Sequence, residues 1–249
     1  MIEQKQNKIY GLIGKNINYS FSKNFFNNKF ENEKIDAVYI NFDIKKIEEF
    51  KTIVTENNIS GLNITIPYKE SIINQLDYVD PTAKEIGAVN TIKFHNNILS
   101  GYNTDYLGFY TSIKNIVNSN TKALILGTGG ASKAIAYTLK ILKIKYLFVS
   151  RSKKNKNYIN YNEISKEIIN KHNLIINCTP LGTFPEINQI PQIPISLITK
   201  RHIVYDLIYN PSKSLLLKKS EENGATIING YQMLENQAME SWKIWNSKH

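Results

Sequence analysis

The chain reads as short apolar runs set between longer segments with one polar face. In its first part, KIYGLIG, AVYINFD and GLNITI (residues 61–66) have the length and β-branched content of strands. Stretches such as KIEEFKTIVTENN lie between them and carry apolar residues at helical spacing. From Thr121 a second series begins, KALIL, YLFVS, LIINC, IVYDL and TII, and YQMLENQAMESWKIW closes the chain as a helix. Strands alternating with helices predict largely parallel sheets. The expected fold class is α/β, in two domains over residues 1–105 and 106–230 with a deep cleft between them. Ligands in such folds bind outside the carboxyl ends of strands, often at a domain boundary.

One strand end poses a question. In SGLNITIPYKESI, Leu62, Ile64 and Ile66 alternate with Asn63 and Thr65, a strand with one buried face. Pro67 stops the strand and suits the first position of a helix, so YKESIINQL predicts a helix with Lys69 in its first turn. The positive end of the helix dipole disfavours a cation there.

Composition narrows the classes. At 249 residues, 42% hydrophobic and 21% charged, the chain can bury a real core. No apolar run approaches about 18 residues, so no membrane span is expected. The polar start MIEQKQNK and the single cysteine, Cys178, suit a cytoplasmic protein. The net charge of +10 suggests nucleic acid, yet only Arg151 and Arg201 are arginines and the lysines are scattered. An anionic small molecule fits this balance better, and no nucleic-acid partner is expected.

The segment TKALILGTGGASKAIAYTLKILKIKYLFVSRS has the order of a βαβ unit. A strand runs into Gly127-Thr128-Gly129-Gly130, and a helix starts near Ala131. Gly127 allows the tight turn, Gly129 lets backbone approach a pyrophosphate, and the helix N-terminus supplies N–H donors. Ser132 replaces the third glycine of the usual pattern, and a glycine-rich structural turn is the competing reading. The second strand runs into Ser150-Arg151-Ser152-Lys153-Lys154, with no acid to hold the ribose hydroxyls of NAD. A guanidinium there pairs with a ribose 2′-phosphate, which points to NADP(H); otherwise Arg151 is a surface charge. No metal-binding set is expected.

Polar groups at strand ends of the first domain supply candidate chemistry. Lys69 and Asp105 are groups able to handle a proton, and a carbonyl reduced by hydride needs a proton on its oxygen. Taken alone, Lys69 also reads as a surface lysine; Asn90 follows a short strand-like run in GAVNT, where it also reads as a turn residue, and Asp105 also reads as a helix N-cap.

The motifs carry more in combination. G-x-N-I-T-I-P-Y-K (61–69), G-A-V-N-T (87–91), G-Y-N-T-D-Y-L-G (101–108) and G-T-G-G-A-S-K-A (127–134) occur in this order. S-R-S (150–152), I-N-C-T-P-L-G (176–182), D-L-I-Y-N-P (206–211) and G-Y-Q-M-L-E-N-Q-A (230–238) follow. Together they resemble the shikimate dehydrogenase family over essentially the whole chain. That resemblance implies NADPH-dependent reduction of 3-dehydroshikimate to shikimate, a step of aromatic amino-acid biosynthesis. It implies Lys69 as catalytic acid/base with Asp105 as partner, and Thr65, Asn90 and Gln237 on the substrate hydroxyls. Ser20 and Ser22, in Y-S-F-S-K (19–23), fall where the family binds the carboxylate, with Tyr209 nearby; Ser22 can also cap the helix that follows. Gly127, Thr128, Gly129, Gly130 and Ala131 would surround the pyrophosphate, and Ser150, Arg151 and Ser152 the adenosine phosphate. Leu207 and Gly230 would lie near the nicotinamide half. The closing helix 231–249 would rejoin the first domain, beside a Rossmann-type second domain. A monomer or homodimer is expected.

The family commonly has H-S-x-S-P where this chain has Tyr19 to Lys23, and Ser150, Asn155 and Thr183 also depart from its usual pattern. The rival readings are a quinate/shikimate dehydrogenase that uses NAD, and a non-catalytic NADP-binding protein.

Overall fold

The computed structural model describes residues 8–17, 20–152 and 155–247; the expectations placed on Tyr19, Lys153 and Lys154 lie outside these. The chain separates into two compact units, Met1–Thr104 with Ala238–His249, and Asp105–Gln237.

The first unit contains β1 (Lys8–Gly14), α1 (Phe21–Asn32), β2 (Ala37–Asp43), α2 (Glu49–Glu56) and β3 (Ile59–Ile64). Then come β4 (Tyr78–Val79), α3 (Pro81–Ile86), β5 (Thr91–His95) and β6 (Ile98–Tyr102). Its sheet runs β2-β1-β3-β5-β6-β4. The sheet is mixed rather than largely parallel, because β5 pairs antiparallel with both β3 and β6. The β5–β6 pairing is local: Asn96 and Asn97 take φ of 50° and 60°, the two left-handed residues of a tight hairpin turn. The strand face of Leu62 and Ile64 packs with Ile13, Phe50, Tyr68 and Ile72. On the opposite face Tyr10, Phe26, Phe30, Tyr39 and Trp245 form an aromatic cluster. Trp245 donates its indole N–H to the Ile92 carbonyl at 2.9 Å.

Lys69 does not open an α-helix. Residues 66–70 form turns, followed by a single 3-10 turn at Ser71–Gln75. The Lys69 carbonyl accepts the Val89 N–H at 2.7 Å, which takes it out of any helical ladder. Ile73 N–H instead reaches back three residues to Glu70. The dipole conflict read from the sequence therefore does not arise. Asn90 precedes β5 rather than following a strand. The cap position of α1 falls on Ser20, and Ser22 lies inside the first turn.

The second unit contains α4 (Asp105–Ile113), β7 (Lys122–Leu126), α5 (Gly130–Ile141), β8 (Lys145–Val149) and β9 (Tyr158–Ile159). α6 (Lys166–Lys171), β10 (Leu174–Asn177), β11 (Ile203–Asp206), α7 (Leu215–Glu222) and β12 (Thr226–Asn229) follow. The last helix, α8 (Tyr231–Asn246), is divided between the units after Gln237. The sheet order is β12-β11-β10-β7-β8-β9, and every pairing is parallel. This is the doubly wound order, with its switch point between β7 and β10. Both faces of β7 are buried, which explains the unbroken apolar run KALIL. Ala123 and Ile125 meet Phe109, Ile135 and Leu139, while Leu124 and Leu126 meet Ile169, Leu216 and Leu217.

Candidate functional site

In the first unit the polar groups gather at the carboxyl end of β3. Ile64 N–H donates to the Asn90 carbonyl at 2.9 Å, and Val89 N–H to Lys69, so Thr65, Lys69 and Asn90 sit on adjoining backbone. Thr65 is tied by its N–H to the Ile13 carbonyl at 2.9 Å. Thr65 and Lys69 are half-buried, whereas Asn90 is 3% exposed. The Asn90 Oδ1 accepts the Thr104 N–H at 2.6 Å, and its Nδ2 donates to Thr104 Oγ1 at 2.9 Å.

Behind this lies a buried hydroxyl and amide network that the strand pattern left open to solvent. Tyr39 donates its phenol to Asn63 Oδ1 at 2.8 Å, and Asn63 Nδ2 donates to Ser241 Oγ at 2.9 Å. Ser241 in turn lies 2.8 Å from Thr91 Oγ1 and 3.2 Å from Thr104 Oγ1. Asn63 is therefore a structural residue beneath α8, paired because a buried amide without partners would be costly. Ser22, also buried, hydrogen-bonds with the Tyr39 phenol. The Ser20 Oγ is buried and has no hydrogen-bond partner among the described residues. An orphaned hydroxyl beside a helix start fits a group that completes its bonding with a ligand.

In the second unit the switch point carries the glycine turn. Gly127 has φ of 102°, and a Cβ there would come within 3.2 Å of Thr179. Backbone conformation thus requires glycine. Gly129 differs: its φ of −79° and ψ of −178° suit any residue, and a Cβ there would meet no protein atom within 4 Å. Neither strain nor packing within the protein accounts for this glycine. Thr128, Gly130 and Ala131 complete the turn, and Ser132 donates its hydroxyl to the Gly129 carbonyl at 2.7 Å. Ser150 ends the neighbouring β8 run and is buried, while Arg151 and Ser152 are exposed beside it. The guanidinium lies close enough to Tyr161 to draw its phenol down, against the larger upward push of burial.

Leu207 and Tyr209 follow β11, both half-buried. Gly230 is held against them: its N–H donates to the Ile208 carbonyl at 3.1 Å, and a Cβ would fall 2.0 Å from the Leu207 carbonyl oxygen. Asp105 opens α4 at 4% exposure, and Gln237 in α8 is 7% exposed. Gly108 lets these helices meet, since a Cβ there would lie 3.0 Å from Gln237 Cβ.

The sequence reading did not single out Asp206. This carboxylate is completely buried, and burial pushes its pKa up to about 6 against the pull of three hydrogen bonds. Its signal was the D-L-I-Y-N-P motif, an acid ending an otherwise apolar strand.

Fold and turn define a class: a two-unit α/β protein whose second unit is built for a dinucleotide. The comparisons narrow this. The shikimate dehydrogenase substrate binding domain matches residues 12–92. The shikimate dehydrogenase (NADP(+)) of Clostridium botulinum is 42% identical, over 94% of this chain and 95% of its own. That of Methanosphaera stadtmanae is 40% identical, over 96% of this chain and 92% of its own. The crystal structure of shikimate dehydrogenase from Aquifex aeolicus aligns with a TM-score of 0.87 at 38% identity, covering 99% of this chain and 94% of that one. The chain belongs to the shikimate dehydrogenase family.

Proposed function

We propose that the chain catalyses the reversible NADPH-dependent reduction of 3-dehydroshikimate to shikimate, within aromatic amino-acid biosynthesis. The observation that carries this reading is full-length likeness to relatives named shikimate dehydrogenase (NADP(+)), joined to a glycine turn and an arginine suited to that cofactor. NADPH, when bound, supplies the hydride. Lys69 gives a proton to the carbonyl oxygen as it becomes an alkoxide, and takes it back in the reverse direction. Asp105 is its acidic partner and holds a substrate hydroxyl. Thr65, Asn90 and Gln237 orient the remaining hydroxyls, and Ser20 and Ser22, with Tyr209, hold the carboxylate. Hydroxyl donors in that role agree with a chain holding two arginines.

On the cofactor side, Gly127 to Ala131 hold the pyrophosphate by backbone N–H groups and the dipole of α5. Ser150, Arg151 and Ser152 hold the adenosine 2′-phosphate, and Leu207 and Gly230 line the nicotinamide half. Residues 1–105 with the closing helix act as the substrate domain and 106–230 as the NADP domain, in a cytoplasmic monomer or homodimer. Among the described residues no helix is long and apolar enough to cross a membrane, and no group of three metal-ligating side chains gathers.

The test is purified protein with shikimate and quinate, each against NADP and NAD, followed by absorbance of the reduced cofactor. Turnover with shikimate and NADP is expected. Absence of turnover in all four combinations overturns the enzyme reading, and preference for quinate or NAD overturns the specificity.

A further inference from the structure

Three loops leave the carboxyl ends of β10, β11 and β12 in the second unit, and one buried carboxylate ties them together. Asp206 is the last residue of β11, in register with Asn177 of β10 and Asn229 of β12. Its Oδ1 accepts the Asn177 Nδ2–H at 3.0 Å and the Ile208 N–H at 3.1 Å. Its Oδ2 accepts the Ser214 hydroxyl at 2.5 Å, from the residue that caps α7. Each donor then holds another segment. Asn177 Oδ1 accepts both the Thr179 hydroxyl at 2.6 Å and the Thr179 N–H at 3.0 Å. Thr179 is the side chain that faces Gly127 of the glycine turn. Ile208, fixed by its N–H to Asp206, offers its carbonyl to Gly230. Leu207, between them, donates its N–H to the Asn177 carbonyl at 3.0 Å.

We infer that Asp206 is a positioning residue that fixes the nicotinamide side of the dinucleotide site; this rests on the reading of that site given above. A wholly buried carboxylate is costly unless its acceptor sites are filled by donors, as they are here. An apolar side chain of similar size would leave the Asn177, Ile208 and Ser214 donors without their acceptor. What an apolar residue could not do is set the mutual register of Thr179, Leu207 and Gly230, three backbone segments from different strands. Charge-assisted bonds give that register its stiffness. Asp206 touches neither hydride nor proton; it acts through Asn177 and Ile208.

Asp206→Asn tests this, because it keeps the shape but removes the charge that strengthens the bonds from Asn177 and Ile208, and turns an NH2 toward a neighbour that had donated to a carboxylate oxygen. Two ligands are titrated into wild type and variant: NADP, and adenosine 2′,5′-bisphosphate, which carries only the adenosine half. The expected result is NADP binding weakened about tenfold and kcat lowered about tenfold to hundredfold, as for a misplaced reacting group. Adenosine 2′,5′-bisphosphate affinity, the KM for shikimate and the ratio of NADP to NAD preference stay within about twofold. A folded variant with wild-type NADP affinity and kcat overturns the inference. Equal weakening of both ligands overturns it too, since that marks a general structural defect. If Asp206→Asn does not fold, Thr179→Val deletes the next link at the turn and is held to the same split at about threefold. Failure of wild-type protein to bind NADP at all would instead refute the site itself.

Discussion

Replacing Gly129 by alanine separates the needs of the fold from the needs of the ligand. The backbone at Gly129 is extended, with φ of −79°, so alanine adopts it without strain. The added methyl meets no protein atom within 4 Å. Restricting the unfolded chain stabilises such a variant by roughly 0.4–1 kcal/mol. Against this, Gly129 is the cap residue of α5, and alanine caps less well, at a cost of a few tenths to about 1 kcal/mol. The two effects offset, leaving stability within about 0.5 kcal/mol and Tm within about 2 °C. A bound pyrophosphate meets the methyl directly and is held off the backbone N–H groups. Losing one or two charge-assisted hydrogen bonds at about 1.5–3 kcal/mol each weakens binding by about tenfold to several hundredfold or more. The assay is NADP titration by fluorescence quenching or calorimetry, beside a thermal melt without cofactor. Gly127→Ala is the contrasting control: at φ of 102° it is strained and loses about 1–2 kcal/mol of stability. A Gly129→Ala protein of normal stability that binds NADP within twofold of wild type would refute the pyrophosphate reading of the turn.

Lys69→Ala is expected to lower kcat by about a hundredfold to ten-thousandfold with little change in the KM for shikimate, measured by steady-state kinetics. Near-normal turnover would exclude Lys69 as the proton donor. Arg151→Ala should raise the KM for NADP by about tenfold and leave that for NAD nearly unchanged, because an exposed guanidinium contributes a phosphate contact rather than packing. Two buried groups give stability opposite pH dependences. Asp206 rises from 3.8 to about 6 on folding, so its stabilising effect is full below the unfolded value and is lost as pH rises through about 6. Between about pH 4.5 and about pH 7.5 this costs wild type about 2 kcal/mol that Asp206→Asn does not lose, readable as the difference between their urea midpoints. Burial holds His172 below its ordinary value, despite a 2.7 Å contact between Nδ1 and the Ile168 carbonyl. Its contribution is present above pH 6.5 and lost as pH falls through the lowered value; His172→Gln should flatten that acid limb in the same titration.

Much of the fold was legible because the second unit obeys local rules. KALIL is buried on both faces and reads as a parallel strand, and Gly127 in the turn after it is required by backbone conformation. The observed strands at Lys8–Gly14, Ala37–Asp43 and Lys122–Leu126 coincide with the apolar runs, and α5 begins one residue before Ala131. The first unit's sheet was less legible. Its hairpin depends on two successive left-handed asparagines, a weaker signal than Asn-Gly, and β4, like β9 in the second unit, is a two-residue edge strand too short to show a period.

The chain's own pattern thus determined the alternating elements, the glycine turn, the arginine after the second strand of the turn and the lysine at the end of β3. Only tertiary structure decided what those residues meet. Lys69 left the helical ladder because its carbonyl found Val89, twenty residues on, and no local propensity encodes that bond. Asn63 and Thr65 alternate along one polar face, yet α8, from the far end of the chain, covers Asn63 and turns its amide into structure. Asp206 gained its role from three strands brought side by side. Periodicity reports which face of an element is apolar; it is silent on which distant segment will cover the polar one.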